Sequence, residues 1–408
     1  MNRKWVFLFL LTIIVLFLSG CWGKREITEL AFVSAYALDV NEEGKYVATL
    51  QVVNPGNVAG GLQGGGGQSS PPTIVYSVTG HNLSDMNALI TQEISRRPYY
   101  AHTELVVISD ELAKEEGLPP VMDELERDIQ FRTTTKVVIA KDTKARHLLT
   151  TLTGLDKIPS VKIAKTLEVT EEMLGETLNV DVHDLINLLA STGKEPVLAG
   201  FTLKGDPEQG KKMESIQSSK PEATPKADGL AVFKEGKLID WIHGETARGT
   251  LWTLDKIKNT TTSIRWEKEK KAIAYNVTRQ QTKVSATITK GRPKILISTR
   301  AEGDIAEVKV PVDLTDPLVI EKIEKELGKE IKDEIEKAVQ QAQKNKSDIF
   351  GFGEIVDRTD PKVWKKLEMD WNDRTFAELE VDVKVNALIR RTGLTNNSLH
   401  TTLKKEEK

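Results

Sequence analysis

Residues able to do chemistry are few in this 408-residue chain, and the most informative is its single cysteine. Cys21 follows Leu18, Ser19 and Gly20, so a thiol stands directly after two small residues at the end of an apolar run. Leu-Ser-Gly-Cys fills all four positions of the bacterial lipobox, Leu-(Ala/Ser)-(Gly/Ala)-Cys. There the sulfur is the nucleophile that takes a diacylglyceryl group, and a peptidase closes around the small residue to cut just before the cysteine. Arg3 and Lys4 precede an apolar stretch over residues 5–18, the layout of a secretory signal. That stretch is shorter than the roughly 18–20 residues of a spanning helix. The expectation is a lipoprotein signal peptide over 1–20, with Cys21 carrying S-diacylglycerol and an N-acyl chain such as palmitate. At about 0.8 kcal/mol per buried CH₂, one acyl chain is marginal and two or three anchor stably. The same cysteine count leaves no thiol for an internal disulfide, a Cys-x-x-Cys redox pair or a cysteine-built zinc site.

Other chemistry finds little support. The histidines are His81, His102, His147, His183, His243 and His400; none has His-x-x-x-His or His-x-His spacing, and only His183 is followed by a carboxylate, Asp184. No metal site is expected from them. Gly-x-Ser-x-Gly and the Ser-x-x-Lys set with its partners are missing, so no catalytic residue is assigned and no enzyme is expected. The glycines at 60, 61 and 64–67 lack both the Gly-Lys-Ser/Thr ending of a phosphate loop and the Gly-x-Gly-x-x-Gly spacing; they read as a flexible surface loop over 55–72. No cofactor site is expected. Trp241, Trp252 and Trp266 could stack a ligand, but Trp241 and Trp252 lie in apolar contexts, and core or interface packing is expected. Arg96-Arg97-Pro98 and Arg127-Asp128 read as helix-end charges and ion pairs. With 57 Lys+Arg against 60 Asp+Glu, net charge −3, and Lys interleaved with Glu over 321–330, nucleic acid is not an expected partner.

The elements around these residues follow from periodicity. Tyr46, Ala48, Leu50 and Val52 alternate as in a half-buried strand. After the Gly-rich loop come a strand over 73–79, a helix over 82–95 capped by Asn82 or Ser84, and a strand over 105–108. A helix over 121–128, a strand over 136–140 and a helix over 145–152 continue the alternation, which predicts helices covering a mixed sheet. Residues 170–190 read as helical and 196–203 as a strand. The polar segment 205–228, with three prolines, is the expected linker or exposed loop. Beyond it, 231–233 and 238–242 flank a hairpin turn at 234–237. Strands are expected at 272–278, 283–289, 294–300 and 306–310. A long helix over about 317–344 follows, capped by Asp316, with Ile320, Ile323, Leu327, Ile331, Ile335 and Val339 in one stripe that should lie on the sheet. The final strand alternates Leu379, Val381, Val383, Val385 and Ala387 with polar residues. The reading is a multi-domain α+β protein with mixed and antiparallel sheets covered by helices. Its divisions are an N-terminal region over 21–204 with room for two subdomains, a linker at 205–228, a C-terminal domain over 229–395 and a tail over 396–408.

A set of short motifs carries a family likeness: Cys21-Trp22 with Arg25-Glu26-Ile27, Arg127-Asp128, Ala231-Val232-Phe233-Lys234, residues 245–252, and residues 348–353 followed by Pro361, Trp364 and Trp371. Together they resemble the Ger(x)C spore germination lipoproteins, the C subunits of germinant receptors, over almost the whole mature chain. The 55–72 and 205–228 segments look longer than the family pattern. The resemblance implies a non-enzymatic receptor subunit required for spore germination, held by lipid on the outer face of the spore inner membrane. It also implies A and B membrane subunits as partners, and carries over only Cys21 as a chemical site. The alternative is an extracytoplasmic solute-binding lipoprotein, for which two doubly wound lobes joined by hinge strands are the usual architecture.

Overall fold

A computed structural model describes residues 3–5, 7, 26–59 and 71–392. Cys21 with its lipobox, the glycines at 60–67, His400 and the 396–408 tail lie outside the described residues.

The first sheet has nine strands: β1 (Leu30–Val40), β2 (Tyr46–Val53), β3 (Thr73–Gly80), β4 (Arg97–Tyr99), β5 (Leu105–Ser109), β6 (Lys136–Ala140), β7 (Val197–Gly205), β8 (Ala223–Lys234) and β9 (Lys237–Ile242). Their order is 3-2-1-5-6-7-8-9, with β4 also pairing β1. β1, β5, β6 and β7 run parallel at the centre, and antiparallel wings flank them. Parallel strands need crossovers that cover both faces, so β5 reads Leu-Val-Val-Ile-Ser and is buried throughout. Val106 and Ile108 join one core with Leu112, Val121 and Leu185; Leu105 and Val107 join another with Leu148, Ile163 and Leu167.

The second sheet is β10 (Thr260–Trp266), β11 (Glu269–Thr289), β12 (Arg292–Val308) and β13 (Glu380–Arg391), in that order. The Pro317–Lys344 helix packs on it: Asp316 Oδ1 accepts the Leu318 N–H at 2.9 Å, and Ile323, Leu327, Ile331 and Ile335 are fully buried.

Four expectations change. The helical stretch expected over 170–190 is two helices, Pro159–Met173 and Val182–Ala190. Gly175 at φ +66° breaks the first, and Asp181 caps the second through the Asp184 N–H. The strand pairs expected over 272–289 and 294–310 are two long continuous strands, because the polar stretch 279–282 stays in the ladder after register shifts near Ala274 and Val277. The final strand does not extend an antiparallel series: β13 runs parallel to β12, as the long helix between them permits. The 205–228 segment does not pass between sheets. It forms two short helices, Pro207–Gly210 and Met213–Gln217, then enters β8, so the change of sheet falls between Ile242 and Thr260. The hairpin turn is as expected, with Glu235 and Gly236 both at positive φ, and it closes the first sheet.

Candidate functional site

The charged residues buried deepest in the second half of the chain are Asp348, in the motif segment 348–353, and Glu334, whose partners Arg248 and Trp252 lie in the segment 245–252. Asp348 is fully buried. Its Oδ1 accepts N–H groups from Phe350 at 3.2 Å, Gly351 at 2.9 Å and Phe352 at 3.1 Å. Its Oδ2 accepts from Gly353 N at 2.8 Å and from Trp371 Nε1 at 2.8 Å. The chain can wrap a carboxylate this tightly because Gly351 adopts φ +75° and Gly353 lies against Gly193, where an added Cβ would meet backbone at 2.7 Å. Burial pushes the Asp348 carboxyl up to about 6, against the pull of these donors.

Glu334 forms the second centre, on the long helix. Arg248 Nη2 donates to Glu334 Oε1 at 2.6 Å, and Trp252 Nε1 to Oε2 at 3.0 Å. Arg248 Nη1 reaches Glu176 at 2.8 Å, tying the segment before β7 to the second half of the chain. Burial raises the Glu334 carboxyl and the guanidinium opposes that shift. Gly249 lets the Gly244–Thr253 helix approach the long helix, since a Cβ there would lie 2.0 Å from the Glu334 carbonyl oxygen. Further bonds cross the same seam: Glu195 N donates to the Asp348 carbonyl at 2.9 Å, and Asn372 Nδ2 to Glu195 Oε1 at 2.8 Å. Arg248, between Glu334 and Glu176, ties the two halves of the chain, whereas the Asp348 carboxylate holds its own loop and Trp371. Neither presents a nucleophile with its base.

An open crevice of about 600 Å³ lies at the carboxyl ends of the parallel strands. The Asp110–Glu115 helix leaves β5 toward one face, while the Ala145–Thr150 helix leaves β6 toward the other. This is the switch point at which open α/β sheets bind ligands. Four of its charges pair with each other, Lys114 with Asp110 at 2.6 Å and Lys144 with Glu111. Asp39 occupies the helix start, accepting from Ala145 N at 2.6 Å and Arg146 N at 3.0 Å. Thr143 Oγ1 stands 3.4 Å from His147 Nδ1, longer than the hydrogen bond of a working hydroxyl and base, and burial holds the imidazole below its ordinary range.

Among the described residues no group of three His, Cys, Asp or Glu side chains can hold a metal ion, and no helix is long and apolar enough to cross a membrane. Trp252 and Trp266 are core residues. Trp241 is half-buried under the Lys141 ammonium, 5.4 Å from the ring centre. Arg127 pairs with Asp123 at 2.9 Å on an exposed helix face, and Asp128 accepts the Gln130 N–H. Asp348, Glu334 and Arg248 carry no catalytic spacing. Their only sequence signal is that Asp348 and Arg248 fall inside the family-like motifs.

The fold is an α+β body with a parallel-centred sheet and a long-ribbon sheet, and among the described residues the groups above form no nucleophile–base pair. The comparisons give it a family. Residues 23–203 match the model "Spore germination protein N-terminal domain", and residues 228–393 match "Spore germination B3/ GerAC like, C-terminal". Spore germination protein KC of Bacillus subtilis (strain 168) is 44% identical over 98% of both chains. The putative spore germination protein YfkR of the same organism is 25% identical, over 94% of this chain and 95% of its own. The crystal structure of the GerBC protein shares the fold, with TM-score 0.53 and 16% identity over 87% of this chain and 96% of that one. The chain therefore belongs to the GerAC-like family of spore germination proteins, the C subunits of germinant receptors.

Proposed function

We propose that this chain is the lipid-anchored, non-enzymatic subunit of a nutrient-germinant receptor, required for spores to respond to nutrients. The observation that carries the anchoring is the complete lipobox ending at Cys21, in a chain whose relatives are spore germination proteins. Cleavage before Cys21 and acylation of its sulfur and new amino group would hold the body on the outer face of the spore inner membrane. Only four residues separate Cys21 from Glu26, the first described residue of the body. At about 3.5 Å per residue the tether keeps Glu26, four residues before β1, within roughly 18 Å of the bilayer.

Contacts with A and B membrane subunits are the proposed mode of action. In support, the buried carboxylates are held by structural partners, and the Lys114–Asp110 and Lys144–Glu111 pairs occupy the crevice. A Cys21→Ala chain is expected to stay uncleaved, take no acyl label and fail to support germination; normal acylation of that variant would overturn the assignment. Affinity capture of the tagged protein from detergent-solubilised spore membranes should bring down two multi-spanning proteins. Capture of neither would overturn the receptor-complex reading.

A further inference from the structure

The outer strands of the two sheets differ in how they are guarded against further pairing. In the second sheet, β13 alternates Glu380, Asp382 and Lys384 with its apolar residues, and β10 carries Arg265 and a register shift before Trp266. In the first sheet, β9 carries Lys237 and Asp240. Charges and bulges of this kind keep an exposed edge from pairing with another chain. β3 has neither: it reads Thr-Ile-Val-Tyr-Ser-Val-Thr-Gly and pairs β2 without a register shift. Among the described residues no strand lies on its far side.

The direction of the β3 backbone groups follows from one bond and the alternation of an antiparallel ladder. Asn54 N donates to the Pro72 carbonyl at 2.9 Å, so residues 74, 76 and 78 bond to β2. Thr73, Val75, Ser77 and Thr79 therefore present their N–H and C=O groups outward, with no backbone partner among the described residues. On one face of the strand Ile74 is 43% exposed, while Tyr76 and Val78 pack partly buried against the core that holds Leu50 and Met86. The strand is also close to symmetric about Tyr76: Thr73 mirrors Thr79, Ile74 mirrors Val78, and Val75 mirrors Ser77.

We propose that β3 pairs antiparallel with β3 of a second copy of this chain, about a two-fold axis normal to the sheet at Tyr76. Such an axis keeps like faces together, so only residues of equal parity meet. Centred on Tyr76, Thr73 and Val75 exchange backbone bonds with Thr79 and Ser77 of the second copy, and the reverse, which uses the whole outward row. Centring on Val75 or on Ser77 would leave Thr79 or Thr73 without its partner. On the core face Ile74 meets Val78 of the second copy, and Tyr76 meets its own counterpart. These are apolar and aromatic cross-strand pairs of the kind that stabilise sheets, and no like charges oppose each other. A single strand pair is a small contact, and tethering both copies to one membrane raises their effective concentration. That gain rests on the anchoring reading, whereas the register does not.

Disulfide trapping of the full chain in isolated spore membranes tests the pairing and its register. Tyr76 and its counterpart form a non-hydrogen-bonded pair with Cα atoms about 4.5 Å apart, within reach of a disulfide. Ile74 and its own counterpart lie four residues out of step, about 13 Å apart, as do Val78 and its counterpart. On mild oxidation Tyr76→Cys should give a homodimer at least about tenfold more abundant than Ile74→Cys or Val78→Cys alone gives. Co-expressed, differently tagged Ile74→Cys and Val78→Cys chains should cross-link to each other, which keeps the test decisive if Tyr76→Cys fails to accumulate. The unsubstituted chain is the blank: a dimer there would report a free Cys21 thiol and count against the anchoring reading, not against this one. No homodimer from either arrangement, or equal yields at all positions, would overturn the proposal. So would adducts of Tyr76→Cys with a different protein alone, because another chain's strand would then hold the edge.

Discussion

Asp348 and Glu334 are buried carboxylates that each receive an indole N–H, yet they are compensated by opposite means. Asp348 is surrounded by neutral donors, four backbone N–H groups and Trp371, with no cation among its hydrogen-bond partners. Glu334 faces Arg248, a full positive charge that also holds Glu176. The first is a loop folded around its acceptor, so the backbone conformation depends on the side chain. The second is a clamp between two helices that already have their own backbone bonds. Losing Asp348 therefore costs a local fold, and losing Arg248 costs a crossing.

The largest expected effect is that of Asp348→Ala. It leaves five buried N–H groups without an acceptor, each worth about 1–3 kcal/mol, enough to consume most of the stability of a domain. Loss of cooperative melting is expected; a melting temperature within a few degrees of wild type would show that the loop does not need its acceptor. Arg248→Met comes next, at about 3–5 kcal/mol, because it strands a buried carboxylate. Adding Glu334→Leu should recover much of that loss in chemical denaturation, whereas no such partner substitution exists for Asp348.

A third test separates the two by pH. The folded Asp348 carboxyl, near 6, titrates above the usual range near 4, so between these values the folded protein binds more protons than the unfolded chain. Its contribution is present at low pH and is lost as pH rises from about 4 to about 6. The stability difference between wild type and Asp348→Asn should fall across that window and stay level above it; a difference that grows with pH would mean that the N–H donors outweigh burial. The smallest effect belongs to Arg127→Ala. Its ion pair with Asp123 is fully exposed, and no measurable change in melting temperature is expected.

Legibility in the sequence followed the range of the interaction. The Pro317–Lys344 helix and the β8–β9 turn were readable because a capping Asp, a leading Pro and a glycine act within a few residues. The break at Gly175 was not readable from apolar spacing, since Leu174 and Leu178 keep the stripe going through it. Asp348 and Glu334 look like two among 60 acidic residues until their donors, up to 86 positions away, are known.

The sequence by itself determined the local elements, the lack of catalytic spacing and the lone thiol in its lipobox, all set by neighbours along the chain. Only the tertiary structure decided that 205–228 stays within one sheet, that β13 runs parallel to β12, that Asp348 holds its loop, and that Glu334 and Glu176 share Arg248. Strand partners share one alternation whichever way they run, and a carboxylate shows its role only when burial removes water and distant donors replace it.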